Sequence, residues 1–142
     1  MILFTAADEC LLLKFQSDIT FVDVAVEIIR NVLEYLAIED PTNVLLVSRE
    51  LLKNAVVHGN QNDRCKEVVF QLFRIGPDRF RVEVEDSGTG FAPENSKSKE
   101  RRKRQVDGRP ETSGHGFAII NSLCEQVLLD KKGSKITVLL AP

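Results

Sequence analysis

No apolar run in this chain approaches the roughly 18 residues that a membrane-spanning helix needs. The opening stretch, MILFTAADECLLLKF, is apolar only in patches. Asp8 and Glu9 interrupt it, and it carries neither a basic leader nor a small-residue cleavage site, so neither a signal peptide nor a membrane span is expected. Cysteine is scarce. Cys10, Cys65 and Cys124 are three in number and far apart, with no C-x-x-C pair. Neither a disulfide framework nor a zinc site fits that pattern, and a reducing cytoplasm is the expected location. Charge of one sign is lacking too: the formal net charge is -2, so the molecule as a whole has no electrostatic reason to seek nucleic acid or a membrane surface. Three phosphate-handling signatures are missing as well. There is no G-x-x-x-x-G-K-[ST], no third glycine for a dinucleotide fingerprint and no H-R-D catalytic loop.

What remains is a balance of 43% hydrophobic and 28% charged residues over 142 positions, enough for a real core in one domain spanning 1–142. Residues 11–16 (LLLKFQ) read as a strand. In TFVDVAVEIIRNVLEYL, residues Phe21, Ala25, Ile28, Ile29, Val32 and Leu36 recur at helical spacing, with Thr20 and Asp23 as a capping pair. Asp40-Pro41 suits an N-cap followed by a first helical position, and a second helix should run from there to about His58. Gly59 and Asn60, both tolerant of left-handed backbone, should stop it.

Residues 66–75 and 79–86 form a hairpin around Gly76-Pro77-Asp78. A polar, basic stretch over 92–113 has no periodicity and suits a lid. FAIINSLCEQ reads as a short helix, and residues 126–131 and 135–140 as a second hairpin turning at Lys132-Gly133-Ser134. This order predicts an α+β two-layer sandwich, with helices on one face of a mixed, mostly antiparallel sheet.

Three stretches could carry chemistry. In ELLKNAVVHGN, the side chains of Glu50, Asn54 and His58 recur every four residues, a step that drifts by only about 40° around a helix. Val44, Val47, Leu51 and Ala55 form the adjoining apolar stripe, widened by Leu52 and Val56. Alone, the polar stripe is more simply a solvated face. As a cleft wall, it would offer a carboxylate to accept a proton and an amide oxygen for a hard cation such as Mg²⁺. In VEVEDSGTGFAP a strand ends at Asp86, with Gly88 and Gly90 just beyond. The stretch is ordinary turn material, or a carboxylate for an exocyclic amine beside a backbone that a ligand can approach. In TSGHGFAII, Gly114 and Gly116 precede a helix, a common loop or a phosphate cradle.

Taken as an ordered set, ELLKNAVVHGN, DSGTGF and GHGFAIINSLCEQV resemble the N-box and the two glycine boxes of the GHKL ATPases, which share the Bergerat ATP-binding fold. Within them the chain is most similar to the small bacterial anti-sigma factors that are serine/threonine protein kinases. The resemblance covers nearly the whole chain. It implies ATP and Mg²⁺ as cofactors and residues 92–113 as an ATP lid. It also implies a STAS-domain anti-sigma-factor antagonist as substrate, a sigma factor as second partner, and a homodimer, with no direct nucleic-acid or membrane contact.

By that resemblance Glu50 is the general base and Asn54 the Mg²⁺ ligand. Asp86 bonds the adenine amine, Gly88 and Gly90 admit the nucleotide, and Gly114 and Gly116 shape the lid's end around the phosphates. His115 stands where close relatives often carry arginine, and a neutral imidazole is a weaker anion partner. His58 has no assigned chemistry; it either contacts the nucleotide region or fastens the helix end, where it suits the dipole. The basic run KSKERRKR (97–104) is by default a solvated charge run. Alternatively, Arg101, Arg102, Arg104 or Arg109 reaches the γ-phosphate, or the run binds an acidic protein surface or nucleic acid, the last ranked lowest because nothing aromatic is interleaved with it. A nucleotide-gated binding module with little phosphotransfer is the alternative function.

Overall fold

The computed structural model describes residues 2–7, 9–87 and 112–142. Six strands form one sheet: β1 (Ile2–Ala7), β2 (Cys10–Gln16), β3 (Glu67–Gly76), β4 (Arg79–Asp86), β5 (Gln126–Leu129) and β6 (Lys135–Leu140). Their order is β1-β2-β3-β4-β6-β5, and every described pairing is antiparallel. Among the described residues, three helices accompany the sheet: α1 (Ile19–Tyr35), α2 (Thr42–Asn54) and α3 (Thr112–Leu123). The expected α+β sandwich is present, with one strand more than the sequence suggested. The patchy N-terminus pairs in register with β2, from Ile2 opposite Phe15 to Ala7 opposite Cys10.

The sheet has two unlike faces because strand side chains alternate. Leu11, Leu13 and Phe15 of β2, Val68, Phe70 and Leu72 of β3, Phe80, Val82 and Val84 of β4, and Val138 and Leu140 of β6 are all buried. Val22, Ala25, Val26, Ile29 and Leu33 of α1 join them, as do Val44, Val47, Leu51 and Leu52 of α2 and Ile120 of α3. The other face is mixed. Arg81 lies over the Phe73 ring at 4.3 Å, and Glu83 bridges Arg81 and Lys135 at 3.0 Å each. That face needs no helix over it, which is the usual arrangement of an antiparallel sheet.

Two helix starts depart from expectation in an instructive way. The cap of α1 is Asp18, not Thr20. The Asp18 carboxylate accepts from the Thr20 N–H at 2.9 Å and the Thr20 hydroxyl at 2.8 Å, and meets Arg64 at 2.6 Å. An ionised carboxylate is the stronger acceptor, so the hydroxyl becomes its donor rather than a cap in its own right. At α2 the N-cap is Pro41 rather than Asp40, without a side-chain cap bond, and the helix begins at Thr42. Asp40, one residue further out, accepts from the Thr42 N–H at 3.1 Å and the Thr42 hydroxyl at 2.6 Å. These bonds hold both carboxyls below their ordinary 3.8. Burial, by contrast, pushes the Cys124 thiol up to about 11, so it stays protonated and is a poor nucleophile near neutral pH.

Phe70→Ala should cost about 3–5 kcal/mol in urea unfolding, as large core truncations do, whereas Gln71→Ala on the opposite face should stay within about 0.5 kcal/mol. Asp18 contributes stability that is complete above its unfolded pKa and lost as pH falls through the lower folded value. The Tm difference between wild type and Asp18→Ala should therefore be full at pH 7 and shrink below about pH 4. A difference independent of pH would rule out the ionised cap.

Candidate functional site

α2 does not run on to His58 as an α-helix. After Asn54 the backbone widens into a π-turn, Ala55–Gly59, closed by the Asn60 N–H on the Ala55 carbonyl at 2.8 Å. π-turns inside helices often occur at functional sites. Here the wider turn breaks the four-residue stripe. Glu50 is only 15% exposed at its side chain and Asn54 is half-buried, but His58 is exposed. The predicted line of three polar groups is thus a pair plus an outlier. The left-handed residues also lie further on than expected. Gly59 and Asn60 keep negative φ, and Gln61 (φ 53) and Asn62 (φ 59) turn the chain instead.

The π-turn brings Gly59 against the end of β4. A Cβ at Gly59 would overlap the Asp86 carboxylate, so only glycine lets that side chain lie flat on the turn. Asp86 is held from the other side as well, its N–H bonded to the Ser134 carbonyl at 2.9 Å. Next to Gly59, Asn60 is wholly buried. Its Nδ2 donates to the Glu67 carbonyl at 2.9 Å, and its Oδ1 accepts from the Ser87 N–H at 2.9 Å. The Ser87 hydroxyl donates to the same Glu67 carbonyl at 3.1 Å. One buried amide thereby ties the end of α2 to the start of β3 and to the residue after Asp86.

At the other end of the stripe Glu50 meets α3. A Cβ on Gly116, itself buried, would stand 2.6 Å from Glu50 Oε2. Lys53 approaches the other oxygen at 3.9 Å. The glycines of the third motif were expected just before a helix, yet α3 begins at Thr112 and contains Gly114, His115 and Gly116. Only the first four N–H groups of a helix lack an intrahelical acceptor, so Gly114 and His115 retain a backbone donor for an anion. Gly116 instead makes room for Glu50.

Between the two ends, Asn54 Nδ2 is buried without a hydrogen-bond partner. That nitrogen is a donor and offers nothing to a cation; the atom of Asn54 that could meet one is its amide oxygen. Among the described residues, no cluster of three or more His, Cys, Asp or Glu could hold a metal ion. A single amide oxygen still fits Mg²⁺, which keeps several waters and shares its coordination with substrate phosphates. From Glu50 to Gly59 the helical rise spans about 13 Å, so the two carboxylates mark opposite ends of one floor.

Residues 15–140 match the histidine kinase-like ATPase domain. The chain belongs to that family. Membership of this GHKL family implies ATP binding. The chain is also similar to anti-sigma F factors of Clostridium perfringens. Those of strains SM101, ATCC 13124 and 13 are each 33% identical over 104 residues, covering 70% of this chain and 71% of theirs. This is an anti-sigma-factor-like member of the histidine kinase-like ATPases.

The structure places Gly116 against Glu50 at one end of the stripe and Asp86 against Gly59 at the other, with Asn54 on the helix between them. Gly88, Gly90, the lid and its basic run 97–104, with Arg109, lie outside the described residues. Among the described residues, no helix is long and apolar enough to cross a membrane. Sequence reasoning missed Gly59 and Asn60 as parts of the site, treating them only as stop signals. The available clue was HGN itself, a small and an amide residue joined directly to the polar stripe. Gly59→Ala should weaken ATP binding by at least about tenfold, close to 1.4 kcal/mol, in calorimetric titration, because the new Cβ must displace Asp86. Wild-type affinity would show that Asp86 can shift without consequence.

Proposed function

We propose that this chain is a Mg-ATP-dependent serine/threonine protein kinase that also acts as an anti-sigma regulatory factor. Its substrate is a STAS-domain anti-sigma-factor antagonist, and its second partner is a sigma factor, as the name of its Clostridium relatives suggests. A homodimer is part of the same reading, and so is a cytoplasmic location. The observation that carries it is the sheltered Glu50 carboxylate, one helical turn before an incompletely paired Asn54 and pressed by Gly116.

Phosphoryl transfer asks a protein for positioning, charge neutralisation and an oriented nucleophile more than for covalent chemistry. In the proposed step, Glu50 accepts the proton of a substrate serine or threonine hydroxyl as its oxygen bonds to the γ-phosphorus. The bond from that phosphorus to the bridging oxygen breaks, and ADP leaves. Asp86 holds the adenine amine and fixes the base end, so the γ-phosphate comes to lie toward Glu50. Asn54 would hold Mg²⁺, which neutralises charge on the phosphate oxygens when bound. Gly88 and Gly90 admit the nucleotide, and the backbone of Gly114 and His115 at the start of α3 offers donors to the phosphates. The limited exposure of Glu50 keeps bulk water from competing for its oxygens.

Incubating the purified chain with Mg-ATP and its cognate STAS protein should add one phosphoryl group to a serine or threonine, seen as a mass shift. Glu50→Gln should lower that rate by about 10²–10⁴ while ATP affinity stays within about threefold. Transfer at the wild-type rate would remove Glu50 from its role. ATP-dependent sequestration of the sigma factor with no transfer by the wild-type chain would leave a nucleotide-gated binding module.

A further inference from the structure

We propose that Asn60 is a positioning residue for Asp86, and through it sets the selectivity of the cleft for a 6-amino over a 6-oxo purine. The inference rests on the reading of Asp86 as the partner of the adenine amine. Asn60 is 0% exposed, and the large majority of polar atoms so deeply buried are paired. Each side-chain atom has its own partner: Nδ2 donates to the Glu67 carbonyl and Oδ1 accepts from the Ser87 N–H, both at 2.9 Å. Its own N–H closes the π-turn on Ala55 at 2.8 Å.

The consequence falls on Asp86. The Asp86 N–H is held by the Ser134 carbonyl at 2.9 Å, and the next N–H along the chain is held by Asn60. The Asp86 Cα therefore sits between two fixed peptide groups. Its carboxylate lies against Gly59, the residue immediately before Asn60, with no room for a Cβ between them. Asn60 thus controls both the strand end that carries the carboxylate and the bare backbone on which the carboxylate rests. A carboxylate held in this way can accept from a 6-amino group but meets a 6-oxo group acceptor to acceptor. Sites built around a buried polar pairing discriminate strongly against an analogue that cannot complete it. Without Asn60 the carboxylate can turn aside, and the penalty for the wrong base falls.

The test measures Kd for ATP and for inosine triphosphate by calorimetry on wild type, Asp86→Ala, Asn60→Ala and the double variant, each checked for folding by circular dichroism and urea titration. Wild type should favour ATP by at least about tenfold. Asn60→Ala should reduce that preference by at least about fivefold, through weaker ATP binding with the inosine nucleotide within about twofold, and the double variant should be no worse than Asp86→Ala. Should Asn60→Ala not fold, Asn60→Asp replaces it. That variant is isosteric and keeps the acceptor for Ser87 but turns a donor to Glu67 into an acceptor, and it should lose preference in the same direction. If Asp86→Ala abolishes the preference while the folded Asn60 variant keeps it, the positioning role is wrong and the reading of Asp86 stands. Equal weakening of both nucleotides by the Asn60 variant would mark a merely structural residue and also overturn the proposal. If wild type and Asp86→Ala alike show no preference, the reading of Asp86 itself fails, and the inference with it.

Discussion

Everything in this molecule depends on α2 serving two masters. Its apolar stripe, with Val44, Val47, Leu51 and Leu52 at 1% exposure or less, must stay sealed against the sheet. Its polar stripe must stay turned toward the proposed nucleotide cleft. A helix can do both because residues four apart drift only slowly around its axis. The burial of the first stripe sets the orientation of the second, so the position of Glu50 is a by-product of core packing. Any change that rotates α2 to improve its packing would also rotate Glu50 and Asn54 away from the cleft. The π-turn ends this arrangement at the point where the helix has to stop facing the cleft and start gripping the sheet.

Much of the fold was legible because it follows from periodicity. Phe80, Val82 and Val84 alternate with Arg81, Glu83 and Glu85, and the former three are buried as that alternation demands. The stripe of α2 appeared in the core as read from its spacing, but that of α1 is rotated. Of the residues read, only Ala25 and Ile29 are buried, Phe21, Ile28, Val32 and Leu36 pack at the margin, and Val22, Val26 and Leu33 fill the centre. What escaped reading was local hydrogen-bond competition. Nothing in the spacing of Thr20 and Asp23 reveals that Asp18, two residues upstream, outcompetes the hydroxyl. The N-terminal strand escaped too, because its pairing with β2 is a long-range choice that no window of sequence contains.

The site was legible to a different depth. Glu50, Asn54 and Asp86, the residues of the proposed site, stand out by residue type and by order along the chain. Their supports do not. Gly59 matters for what would collide with a Cβ, and Asn60 for which carbonyl and which N–H lie beside it. Both are properties of the partner strand, not of the helix that carries them. Gly116 is similar: in the sequence it reads as phosphate cradle material, and in the fold it stands against Glu50. Glycine in a motif states that something comes close, without stating what.

The strand order has a consequence for how such a chain can vary. The segment after β4 departs from Ser87, whose N–H is fixed by Asn60, and the chain returns where Gly116 meets Glu50. Both anchor points are secured by α2 and its extension, independently of what lies between them. Closing a loop between fixed ends costs little more as it lengthens, only about 0.6 kcal/mol for each doubling. For the scaffold, the length of chain that joins two such anchors is therefore a weak constraint. Two anchors set in this way tolerate connections of different length at little cost to folding stability.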